Sequence, residues 1–166
     1  MTNPTILCKT CKKPKAPYEC GLCHEHICKS CAQFLETEAF SFRKSVPEEL
    51  THNCYCYNCF DDKVATPLNE YNEILDRARN IIIYTKDQTK LTRYLKRKED
   101  PYKVENCIDE EEAVMKMAFY AAESKFNCLI DVQFVSKKLG TGSHQKSVTS
   151  ATGVPITIDP EAIRGH

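Results

Sequence analysis

Four Cys-x-x-Cys pairs lie near the start of the chain: Cys8/Cys11, Cys20/Cys23, Cys28/Cys31 and Cys56/Cys59. Two thiols one tight turn apart present half of a tetrahedral site, so four pairs supply two complete four-thiolate zinc sites. Sequential filling would place pairs one and two on one ion and pairs three and four on the other. Only His24 to Ile27 separates the second pair from the third, however, which leaves little chain for two neighbouring sites to close side by side. Interleaving is therefore preferred, with Cys8, Cys11, Cys28 and Cys31 on one ion and Cys20, Cys23, Cys56 and Cys59 on the other. Cys54 and His52 are substitutes for Cys56. His24 and His26 are further alternates, read as groups beside the sites rather than ligands.

Sites of this kind are closed. Four thiolates leave no coordination position for substrate or activated water, so the zinc is expected to be structural. The rest of the chain offers little catalysis. His24-Glu25-His26 lacks the helical His-Glu-x-x-His spacing of a zinc protease, and no deaminase signature is present. Glu110, Glu111 and Glu112 read as the acidic first turn of a helix. Cys128 falls on an apolar strand face and reads as core, and Cys107 is a bare candidate nucleophile. Gly140 and Gly142 suit a hairpin turn better than a phosphate loop, because no Gly-Lys-Ser/Thr follows them. No catalytic residue and no further cofactor is assigned, and the chain is expected not to be an enzyme.

At 42% hydrophobic and 28% charged the composition is that of a folded protein. No stretch approaches the roughly 20 apolar residues of a membrane helix, and the first residues do not read as a signal peptide. A cytoplasmic location is expected. In that reducing environment eleven cysteines point to metal ligands rather than disulfides. An iron–sulfur cluster is disfavoured because its ligands usually crowd into one segment. The chain has 23 Lys/Arg and 23 Asp/Glu, and residues 1–66 balance as well. Each four-thiolate zinc centre adds about two further negative charges. Lys9, Lys12, Lys13 and Lys15 then read as balancing the thiolates. Nucleic-acid and membrane partners are not expected, since phosphate binding needs a surplus of cations.

The elements that must hold these residues read as α+β. Composition changes near Ala65, which suggests a binuclear zinc module over 1–64, a connecting helix over 65–80 and a small α+β domain over 81–160. Residues 31–42 suggest a short helix or hairpin whose Phe34, Leu35, Phe40 and Phe42 make a small core. Pro67 at a first turn, followed by Leu68, Tyr71, Ile74, Leu75 and Ala78, predicts a helix over 67–80. The remainder reads β-β-α-β-β, with strands at 81–84 and 91–97, the second an edge strand. A helix then runs from the Asp109/Glu112 cap to about residue 126. A strand from Cys128 buries alternate residues, and a last strand covers 148–158.

The full spacing, Cys-x2-Cys-x8-Cys-x2-Cys-x4-Cys-x2-Cys-x24-Cys-x2-Cys, resembles the cross-brace FYVE/PHD/RING superfamily over residues 8–59. Its x4 step is the FYVE-type spacing. The resemblance implies a zinc-finger scaffold for protein contact. Lys15-Ala-Pro-Tyr-Glu19 replaces the Arg/His-rich run of phosphoinositide-binding FYVE domains, and no Cys-x-His-x2-Cys of the RING type is present. The segment 105–158 resembles the YbjQ family of small bacterial α+β proteins through Phe126-Asn-Cys-Leu-Ile-Asp-Val-Gln-Phe134 and Ser150-Ala-Thr-Gly-Val-Pro-Ile156. That likeness implies assembly rather than chemistry. The expected function is a zinc-binding protein with a protein-interaction or self-assembly surface, its partner unidentified or a second copy. The alternative is a RING-like ubiquitin-type ligase adaptor, and after it a phosphoinositide or nucleic-acid binder.

Overall fold

The computed structural model describes residues 4–163 and falls into two compact units, Met1–Asn72 and Glu73–His166. Both contain strands and helices, so the chain is mixed α and β. No helix among the described residues is long and apolar enough to cross a membrane.

The first unit is built from very short pieces. Strand β1 (Tyr18–Glu19) pairs antiparallel with β2 (His26–Ile27), and β3 (Ala32–Phe34) with β4 (Cys54–Cys56). Its large buried apolar side chains are few: Ile27, Leu35, Phe40, Leu50, Tyr55, Val64 and Tyr71 are the main ones. Tyr55 spends its hydroxyl tying down a loop, donating to the Glu49 carbonyl at 3.0 Å and accepting from the His52 N–H at 3.1 Å. Residues 31–42 form neither the expected helix nor a local hairpin, because 32–34 pair with the distant β4 instead. Leu35 and Phe40 are buried as expected, whereas Phe34 is 54% exposed and lies edge-on to Tyr18.

Helical backbone runs without a break from residue 57 to 78, ten residues earlier than Pro67 suggested. It consists of α1 (Tyr57–Cys59), a wide π turn (Phe60–Val64) and α2 (Ala65–Ala78). In the wide turn the Ala65 N–H reaches back five residues to the Phe60 carbonyl. A proline inside a helix leaves the ladder one bond short, and the wide turn ends three residues before Pro67. Pro67 is therefore an interior residue here, and Tyr71, Ile74 and Ala78 form the buried stripe.

The second unit is a four-stranded sheet with α4 (Glu110–Glu123) on one face. Its order is β5 (Ile82–Thr85), β7 (Cys128–Leu139), β8 (Lys146–Ile156), β6 (Tyr102–Cys107). Only β5 and β7 run parallel; the other pairs are antiparallel. Residues 91–97 are not a strand. Thr85 and Gln88 form a capping box that starts a 3-10 turn, and α3 (Thr89–Thr92) follows, with Leu91 exposed. The second strand is β6, whose outward Lys103 and Glu105 pair at 2.8 Å and give it a polar sequence. The α4 cap is as expected, with the Asp109 carboxylate accepting the Glu112 N–H at 2.8 Å, but the helix stops at Glu123.

Strict alternation fails along β7. Two residues, Asp131 and Val132, face Gly153 of β8 between the pairs Ile130–Val154 and Gln133–Thr152. The strand bulges there, and Asp131 takes a left-handed φ of 54° that a short polar residue tolerates. Val132 consequently packs over Gly153, whose missing Cβ would stand 3.0 Å from a Val132 methyl. Cys128 and Ile130 point to the other face, into a cluster with Val154, Ile156 and Ile158.

Asp131 also accepts two hydrogen bonds from the Arg97 guanidinium, one of them at 2.9 Å. Those bonds hold its carboxyl below the usual carboxylate range. A depressed carboxyl contributes stability above its unfolded-state pKa of about 4 and loses it as pH falls through the folded-state value. Asp131→Asn, which keeps the backbone conformation accessible, should cost up to about 1 kcal/mol at pH 7 for a partly exposed pair. The gap to wild type should vanish by about pH 2–3. Urea unfolding at the two pH values measures it, and a pH-independent gap would contradict the account.

Candidate metal centres

Both early cysteine pairs sit in the same local structure. In Cys8–Cys11 the Lys12 N–H closes on the Cys8 carbonyl at 2.9 Å, and in Cys20–Cys23 the His24 N–H closes on the Cys20 carbonyl at 2.9 Å. The closing residue has a left-handed φ of 59° in both, which turns the chain back on itself. His24 is thus held by its backbone role, and its ring bonds Glu19 at 2.9 Å. Gly21 is needed in the second turn, because a Cβ there would meet the His52 ring at 2.3 Å. The later pairs are held differently. Cys28–Cys31 is a turn leading into β3, and Cys56 caps α1, its sulfur accepting the Cys59 N–H at 3.5 Å.

The fold brings these four supports together alternately. The sulfurs of Cys8, Cys11, Cys28 and Cys31 lie within 4.8 Å of one another, and so do those of Cys20, Cys23, Cys56 and Cys59. Each group combines one closed turn with one pair from the first or second β-ladder end, an interleaved arrangement compatible with a cross-brace. Neither group includes His24, His26, His52 or Cys54. His26 keeps a buried Nδ1 without a hydrogen-bond partner, and Cys54 lies half-buried on β4.

The spacing of the sulfurs tests whether a single ion fits. A tetrahedral centre with metal–sulfur bonds of about 2.3 Å has sulfur–sulfur edges of about 3.8 Å. Cys11 and Cys28 stand 3.6 Å apart, and Cys23 and Cys56 stand 3.8 Å apart. All eleven cysteines are free thiols, and these separations are far beyond a disulfide bond of about 2.05 Å. A multi-iron cluster would spread its cysteines onto separate irons. Each group of four can hold one metal ion.

Electrostatics favour a cation in both. Donation from the Cys11 N–H, helped by Cys28 and Thr10 and opposed by burial, lowers the Cys8 thiol to about 6. Burial works against Cys20, but the backbone N–H groups of Cys23, Cys56 and Leu22 bring it to about 6 as well. Their neighbours are pushed the other way: Cys31 rises to about 12 through Cys28 and burial, and burial with the adjoining thiols raises Cys59. Thiols this close resist joint ionisation, and a dication removes the conflict by binding all four as thiolates. Lys9 adds charge from outside. Its ammonium lies 3.7 Å from the Cys23 sulfur, and although burial opposes its charge, Cys23 and Glu25 raise its pKa.

The remaining thiols are remote from this chemistry. Cys107 is 1% exposed with its sulfur toward the Glu105 carbonyl at 3.7 Å, and burial pushes the fully enclosed Cys128 up to about 12. Neither is an activated nucleophile. Gly140 and Gly142, both at left-handed φ, form the loop joining β7 to β8. Comparison with protein-family models, curated proteins and solved structures finds no match to this chain.

Proposed function

We propose that the chain is a non-enzymatic zinc-binding protein in which two structural ions hold a protein-interaction surface. The observation that carries this is the pair of four-sulfur groups with tetrahedral-edge spacing. Cys8, Cys11, Cys28 and Cys31 would hold one ion and Cys20, Cys23, Cys56 and Cys59 the other. All-thiolate tetrahedra suit zinc or a single iron, and zinc brings no redox chemistry. A cross-brace of the FYVE/PHD/RING kind is the scaffold reading that the interleaving supports. The first unit also exposes Ile6, Leu7, Phe34 and Tyr57, each at 47% or more, which suits contact with protein. The same apolar exposure keeps a RING-like ubiquitin-type ligase adaptor as the second reading.

Metal analysis of purified chain should give two zinc ions. Cys56→Ser should lower the ratio to about one and Cys54→Ser should leave it at two. Iron in place of zinc, a wild-type ratio below two, or loss of metal in Cys54→Ser would overturn the assignment. Ubiquitin discharge from a loaded conjugating enzyme, stimulated by the chain, would move the conclusion to the second reading.

A further inference from the structure

One helix cannot cover the second unit's sheet. A helix is about 10 Å wide, and four strands at about 4.8 Å spacing are wider than that. Helix α4 lies mainly over β6 and β8, which leaves a strip above β5 and β7. A groove of about 420 Å³ occupies it, floored by Ile81, Ile83 and Phe134 and walled by Val114, Met115 and Ala118. A second hollow of about 520 Å³ shares Ile81 and continues past Ala122 and Phe126. The groove also borders β5, an edge strand.

Its two ends carry opposite charge. Glu110 and Glu111 line the stretch at the start of α4, and Arg77 and Lys125 line the stretch beyond its end, about 20 Å away along the helix. All four are exposed and none has an ion-pair partner among the described residues. Arg79, also on the groove, is already paired with Asp76 at 2.8 Å. A second molecule turned end for end matches this pattern, acid to base at both ends, and a two-fold axis generates that relation from identical chains.

We propose that this groove is the interface of a two-fold dimer, with a second copy of the chain seated antiparallel along α4. The proposal rests on reading the chain as an interaction protein and names its partner. Apolar contact at Ile81, Ile83, Met115 and Phe134 supplies the central contact, and the charged ends set the orientation.

Analytical ultracentrifugation of the zinc-loaded full chain should show a dimer. Glu110→Lys with Glu111→Lys should weaken it at least about tenfold, as should Arg77→Glu with Lys125→Glu, by setting like charges together. Mixing these two variants should restore a dimer containing one of each, which also shows that both still fold. A monomeric wild type overturns the dimer. A wild-type dimer indifferent to both charge reversals overturns this interface and leaves the interaction reading standing on another surface. Loss of the zinc ratio, by contrast, would strike the reading itself.

Discussion

Complete removal of metal from the intact chain should unfold residues 8–59 and leave the four-stranded sheet folded. The first unit has strands of two or three residues and a handful of large buried side chains, too little apolar burial to repay the conformational entropy of ordering it. Structural zinc in small fingers carries an apparent binding free energy of about 10–16 kcal/mol, and that energy is folding energy. Without cations, eight crowded thiols also lose the charge that lets them ionise together. Amide exchange before and after chelation would show protection disappearing across both cysteine groups while β7 and β8 keep theirs. Protection of residues 8–59 that survives complete demetallation would refute the idea.

The converse substitution is Phe119→Ala. Phe119 is fully buried in α4, with its ring edge-on to that of Tyr120. Truncating a buried phenylalanine costs about 3–5 kcal/mol, a large share of the 5–15 kcal/mol that holds a typical domain. Thermal or urea unfolding should show the second unit melting far earlier, and the chain should still bind two zinc ions. A fall in metal content with this variant would mean that the two units do not fold independently.

The two cysteine clusters were the most legible part of the sequence because their cause is local: pair spacing states which sulfurs can share a turn, and the short Cys23–Cys28 spacer restricts the pairing. The α4 cap is equally local, and Asp109 and Glu112 sit where their types suggest. What escaped depends on distant partners. Phe34 reads as core from its type alone but lies on a ladder whose other strand starts twenty residues later, which turns its ring outward. The strand at 102–107 is hidden by Lys103, Glu105 and Asn106, and the apolar residues of 91–97 read as a strand because nothing local reveals the capping box at Thr85. The bulge at Asp131 has no signature in a run of apolar residues, since it is the partner strand that makes it a bulge. Whole-chain neutrality also conceals an uneven distribution: Lys86, Lys90, Arg93, Lys96, Arg97 and Lys98 stand against Asp87 in one segment.

Pro67 looked like the place where a helix begins, and the wide turn at Phe60–Val64 shows that it is the place where one can begin again. The turn before it belongs to the cysteines: Cys56 caps that turn and Cys59 lies within it. Loss of the metal would take away the tie that Cys56 and Cys59 give this stretch. Thr66 is then a ready cap and Pro67 a ready first residue, so α2 restarts without penalty where proline is at home. If residues 8–59 unfold on metal loss as expected, Thr66–Pro67 would be the place where the helix re-forms its start.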